Sequence, residues 1–158
     1  ISSREVLDCF HARYSSKGKN YIYKIHNSAV RDPFNFRYSL SIPKRLDETV
    51  MNAAALKFCG THDFAAFCSS GSSVSDTVRT VSECSVSRDG DDITVSISAN
   101  GFLYNMVRIV TGTLIDVGSG KIDPDDIPKI IASCNREMSG PTVKPNGLFL
   151  NKVFYNNI

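Results

Sequence analysis

The sequence predicts an α+β domain, a mixed or largely antiparallel β-sheet with helices packed on one face. Three observations carry this. Residues 21–25, 80–98 and 147–155 hold alternating, β-branched or aromatic stretches, the mark of half-buried strands. Stretches with helical spacing fall among them without the regular strand–helix–strand repeat of a parallel sheet. At 158 residues, 42% hydrophobic and 22% charged, the chain is long enough for one ordinary core.

Taken in order, Tyr21-Ile22-Tyr23-Lys24-Ile25 reads as the first strand and residues 36–42 as a second candidate. Asp47 can cap a helix with an apolar stripe of Met51, Ala54, Ala55 and Phe58, and Gly60 can end it. Residues 69–73, Ser-Ser-Gly-Ser-Ser, read as a loop. Residues 80–87 and 92–98 form a hairpin turning around Arg88-Asp89-Gly90-Asp91, with Ile93, Val95 and Ile97 on its core face. A helix over 103–117 carries the stripe Leu103, Met106, Val107, Val110 and Leu114. A short helix follows Asp123-Pro124, with Pro128 still tolerated in its first turn. Residues 147–155 make the last strand.

Net charge is only +2, yet residues 1–45 hold nine Lys/Arg against three acids. A basic stretch of this kind suits a polyanion, although a solvated basic face is common on any protein. The five cysteines, Cys9, Cys59, Cys68, Cys84 and Cys134, form no CxxC pair, so the pattern favours reduced, mostly buried thiols over a disulfide framework or a zinc site. No apolar run is long enough to cross a bilayer, and the polar start lacks the apolar core of a signal peptide.

Arg108 stands out because it lies off the core stripe of its helix, beside Tyr104 and Ile115. A cation near a helix N-terminus gains nothing from the dipole. It either faces an anion in a cleft or lies along the surface. Tyr21 and Tyr23 share one strand face beside Lys19 and Lys24, an arrangement suited to base stacking or simply to packing against a helix. Cys59, His62, Asp63 and Cys68 contain the ingredients of a thiol–imidazole hydrolase, but spacing alone does not bring a nucleophile to a base. The turn reading of His62-Asp63-Phe64 is the stronger. The residues alone lead to an α+β domain with a basic, aromatic face suited to RNA.

Four segments in succession resemble the TruA family of tRNA pseudouridine synthases. They are Phe10-His11-Ala12-Arg13 with Lys19-Asn20-Tyr21-Ile22-Tyr23; Gly60-Thr61-His62-Asp63-Phe64 with Phe67; Asn100-Gly101-Phe102-Leu103-Tyr104-Asn105-Met106-Val107-Arg108; and Pro145-Asn146-Gly147-Leu148-Phe149-Leu150 with Val153 and Tyr155. The resemblance implies a pseudouridine synthase fold and isomerisation of uridine to pseudouridine in the anticodon stem-loop of tRNA, without a cofactor or a metal. It implies catalytic roles for Tyr21, as the ring that stacks on the target uracil, and for Arg108, as the partner of a catalytic aspartate. It further implies substrate-binding roles for Arg13, Lys17, Lys19, Tyr23, Asn105, Gly147 and Leu148. A homodimer in the cytoplasm, bound to tRNA and to no membrane, is the implied setting.

The family's nucleophile sits in a G-R-T-D-x-G-V-H-A motif, which this sequence lacks; Arg88-Asp89-Gly90 has none of its flanking residues. Residues 1–158 are therefore expected to be the C-terminal domain of such an enzyme, with the aspartate in a preceding domain and no turnover by this chain alone. A stand-alone tRNA-binding or dimerising module is the competing expectation.

Overall fold

The computed structural model describes residues 5–71 and 75–155. Residues 72 and 73 of the Ser/Gly run, and Arg4 of the basic stretch, lie outside the described residues. Among the described residues six strands and three α-helices follow one another: β1 (Ser16–His26), β2 (Leu40–Ser41), α1 (Glu48–Leu56), β3 (Gly60–Asp63), β4 (Val78–Asp89), β5 (Asp92–Ala99), α2 (Met106–Gly118), α3 (Ile127–Ser133) and β6 (Leu148–Tyr155). Short 3-10 turns complete the connections.

The strands form one sheet in the order β2-β1-β5-β4-β3, and β6 also pairs with β1. β5 borders β1 on one side. Along β1, β6 pairs with Ser16 through Tyr23 and β2 pairs, in parallel, with Ile25 and His26. The remaining pairings are antiparallel, so the sheet is mixed as expected. Tyr21, Tyr23 and Ile25 oppose Ile97, Val95 and Ile93, and this face packs into the core with α1 and α2. On the opposite face the side chains satisfy one another: Asn20 Nδ2 donates to Ser96 Oγ (3.0 Å) and Ser98 Oγ (2.9 Å), and Asn151 Nδ2 donates to Asn20 Oδ1 (2.8 Å).

The hairpin turns at Gly90-Asp91 with Asp89 opposite Asp92, and Gly90 takes the positive φ of 57° that such a turn needs. Asp47 Oδ1 accepts from Thr49 N (3.0 Å) and Val50 N (3.1 Å), capping α1 as its sequence position indicates.

Four expectations need correction. Residues 36–42 supply only the two-residue β2, because the Asp32 carboxylate accepts from Phe34 N, Asn35 N and Asn35 Nδ2 and winds residues 32–38 into turns. Gly60 does not end α1, which stops at Leu56; it opens the edge strand β3. The helix expected from residue 103 begins at Met106 and is buried on nearly every side rather than along one stripe. Its buried hydroxyls remain satisfied within the helix, since Thr111 and Thr113 donate to the carbonyls of Val107 and Ile109. Finally, of the five free thiols only Cys84 is buried, while Cys9 and Cys134 are exposed and Cys59 and Cys68 are intermediate.

Candidate active site

α2 is led in by Asn105, which sits in the left-handed region at φ 61°. Asparagine is one of the few non-glycine types that adopts this conformation at small cost. The turn lets one amide serve two partners: Asn105 Nδ2 donates to Ser69 Oγ (3.0 Å), and Asn105 Oδ1 accepts from Arg108 Nη1 (2.8 Å). Arg108 Nε donates to the carbonyl of Val143 (2.7 Å). Two of the three guanidinium nitrogens are thus held by the protein. Arg108 Nη2 makes no hydrogen bond, and Arg108 no ion pair, among the described residues.

Tyr23 lies next along the carbonyl series. Its hydroxyl donates to the carbonyl of Lys144 (2.5 Å), and the residue is 0% exposed. Burial pushes its phenol up to about 12, partly opposed by the charge of Arg108. Gly147 closes over this ring: a Cβ there would meet the Lys24 carbonyl at 2.5 Å and Tyr23 Cε1 at 2.8 Å. Leu148, cross-strand from Tyr23, is partly buried against the same core.

Tyr21 shares the face of Tyr23 but is only partly buried, and its ring meets Phe102 edge-on at 5.1 Å. It is the tyrosine of the pair with surface left to offer. Among the remaining expected site residues, Arg13 stands in the turn before β1 with its guanidinium 5.7 Å from the Tyr14 ring centre. Lys17 and Lys19 lie on β1, Lys17 exposed and Lys19 half-buried between Ala99 and Val153. The structure therefore brings Arg108, Asn105, Tyr23, Gly147 and Leu148 into one connected region, puts Tyr21 on the same sheet face, and leaves Arg13 and Lys17 at the surface.

The thiol–imidazole alternative finds no such arrangement. His62 Nε2 bonds the carbonyl of Cys59 (3.0 Å), not a thiol. Asp63, the last residue of β3, accepts at Oδ1 from Thr77 Oγ1 (2.6 Å) and from Ala65 N (2.9 Å) in the turn that follows, and these bonds hold its carboxyl below the usual range. Local desolvation and the neighbouring Asp63 raise the thiol of the exposed Cys134, the opposite of what a nucleophile needs.

Sequence reasoning missed the carbonyls of Val143 and Lys144 and the hydroxyl of Ser69, which orient the site. Backbone carbonyls carry no side-chain signature, and Ser69 was hidden in a Ser/Gly run.

An arginine held through Nε and Nη1, a buried phenol and a partly exposed aromatic on the same sheet face can together meet an acid and a flat ring. Comparison with known proteins gives the family. A family model described as tRNA pseudouridine synthase matches residues 54–156. The chain is 50% identical over 155 residues to the tRNA pseudouridine synthase A of Clostridium botulinum (strain Eklund 17B / Type B), covering 98% of this chain and 64% of that protein. It is 42% identical over 157 residues to the protein of that name from Bacillus pumilus (strain SAFR-032), covering 99% and 64%. With that of Acetivibrio thermocellus it shares 46% identity over 153 residues, covering 97% and 63%. The chain belongs to the tRNA pseudouridine synthase family. It spans a little under two thirds of the length of these relatives.

Proposed function

We propose that this chain is the C-terminal part of a tRNA pseudouridine synthase that isomerises uridine in the anticodon stem-loop, and that a preceding domain supplies the catalytic aspartate. The observation that carries this is Arg108, anchored through Nε and Nη1 by Val143 and Asn105 and paired with no carboxylate among the described residues. An arginine within a few ångströms lowers a carboxylate pKa by ~1–3 units, which keeps an incoming aspartate ionised and ready to attack or to take a proton. The uracil must leave the base stack, at a cost of a few kcal/mol, and be turned before it is rejoined through carbon. Tyr21 is the ring we assign to receive it. Arg13, Lys17 and Lys19 contact phosphates, Asn105 steadies Arg108, and Gly147 and Leu148 close the floor. The working enzyme is a homodimer.

The test is tritium release from tRNA labelled on the uracil carbon that forms the new bond. The chain alone releases none. The same chain preceded by the N-terminal part of a relative releases tritium, and Arg108→Ala or Tyr21→Ala in that protein lowers the rate by roughly 100-fold or more. Release by the 158-residue chain alone would place the nucleophile within it and overturn the reading.

A further inference from the structure

Val143 and Lys144, whose carbonyls hold Arg108 and Tyr23, belong to a strap that runs from α3 to β6 across the outside of α2. The strap presses close. A Cβ on Gly112 would stand 1.9 Å from the Pro141 carbonyl oxygen, and one on Gly140 would stand 2.5 Å from Thr113 N. Gly140 N donates to Thr113 Oγ1 (2.9 Å), which pins the strap at that point. Between there and the site the restraint comes from Arg136. Its Nη1 donates to Ser139 Oγ (2.9 Å) and to the Gly140 carbonyl (3.0 Å), and its Nη2 donates to Thr142 Oγ1 (3.0 Å). Ser139 Oγ in turn donates to the Ala66 carbonyl (2.7 Å), tying the strap to the turn after β3.

We propose that Arg136 is the positioning residue of this site: by gripping Ser139, Gly140 and Thr142 together it sets the peptide that follows, and so the direction in which the Val143 and Lys144 carbonyls meet Arg108 and Tyr23. The assignment rests on the reading of Arg108 as a site residue. Thr142 immediately precedes Val143, and its side-chain tie is to Arg136. The backbone bond from Val143 N to the Arg108 carbonyl is long, at 3.5 Å, and fixes the strap poorly by itself. A planar five-donor fork can span three acceptors at once; a lysine ammonium on a flexible stem cannot hold the same three in one geometry.

The experiment follows the Arg108 Nε–H by NMR in the 158-residue chain with labelled arginine. In the parent, the bond to Val143 protects this proton from exchange. In Arg136→Lys, Arg136→Ala and the near-isosteric Thr142→Val, its exchange speeds up by about tenfold, the factor expected when one such hydrogen bond is lost. Backbone amides of β4 and β5 keep their parent rates. Unchanged Arg108 exchange in the folded variants would overturn the proposal. So would a matching acceleration of the β4 and β5 amides, because Arg136 would then only support the fold. Thr142→Val removes a single acceptor and keeps the test open if Arg136→Ala fails to fold. Failure of the functional reading shows separately, as absent tritium release from the longer protein while the exchange result stands.

Discussion

At the scale of single residues, Tyr23 illustrates how a side chain with catalytic chemistry serves as structure. It is fully buried, its hydroxyl is spent on the Lys144 carbonyl, and Gly147 leaves no room over its ring. Burial lifts its phenol from an ordinary 10.0 to about 12. A folded value above the unfolded one means that the native state keeps the proton longer. The associated stability is whole below about pH 10 and disappears as pH rises through about 12. Tyr23→Phe leaves the Lys144 carbonyl without its donor and is less stable near neutrality by about 1 kcal/mol. Urea unfolding at a series of pH values should show this gap narrowing across the alkaline window. A gap that stays constant would mean that burial does not govern this hydroxyl.

Among the elements, α2 does most to place the site, and it does so through the one turn that precedes it. Asn105 supplies the left-handed backbone and the amide that holds both Ser69 and Arg108. Asn105→Ala must adopt that backbone with a Cβ and without either bond, at a combined cost of about 2 kcal/mol. Asn105→Gly recovers the backbone share but leaves Arg108 Nη1 unheld. Denaturant midpoints should therefore rank parent above glycine above alanine, while both variants lose tritium release when joined to the N-terminal part of a relative. The contrast between legible and illegible elements is physical. Ile93, Val95, Ile97 and Gly90 announce the β4–β5 hairpin because alternation and a positive-φ turn both leave marks in sequence. β3 leaves none, since its ends, Gly60 and Asp63, are types depleted in strands and the segment becomes one by pairing with β4. Phe36 and Tyr38 look like strand residues, yet the local bonds of Asp32 decide their conformation. Arg108 was visible as a cation out of place on its helix, but the carbonyls that aim it were not.

For the whole molecule, charge and topology point in the same direction. The basic residues of the first 45 positions that are described lie mostly at the surface: Arg13, Lys17, Lys24, Arg31, Arg37, Lys44 and Arg45 are all exposed. Binding of tRNA by this chain should be weak and dominated by phosphate contacts, so the logarithm of its affinity should fall linearly with that of salt concentration. Neutralising Lys17 and Arg13 together should reduce that slope by roughly two. A slope unaffected by the double change would remove this surface from the RNA contact. The pairing of β1 with β6 has a consequence for synthesis. β1 leaves the ribosome well before β6, and the strap that holds Arg108 and Tyr23 is translated just ahead of β6. Until both emerge, one side of β1 lacks most of its partner and the guanidinium has no carbonyl to aim it. A nascent chain stalled before residue 143 would expose a strand edge to chaperones or to other chains, so that maturation of the site and protection of the sheet come together as residues 143–155 emerge.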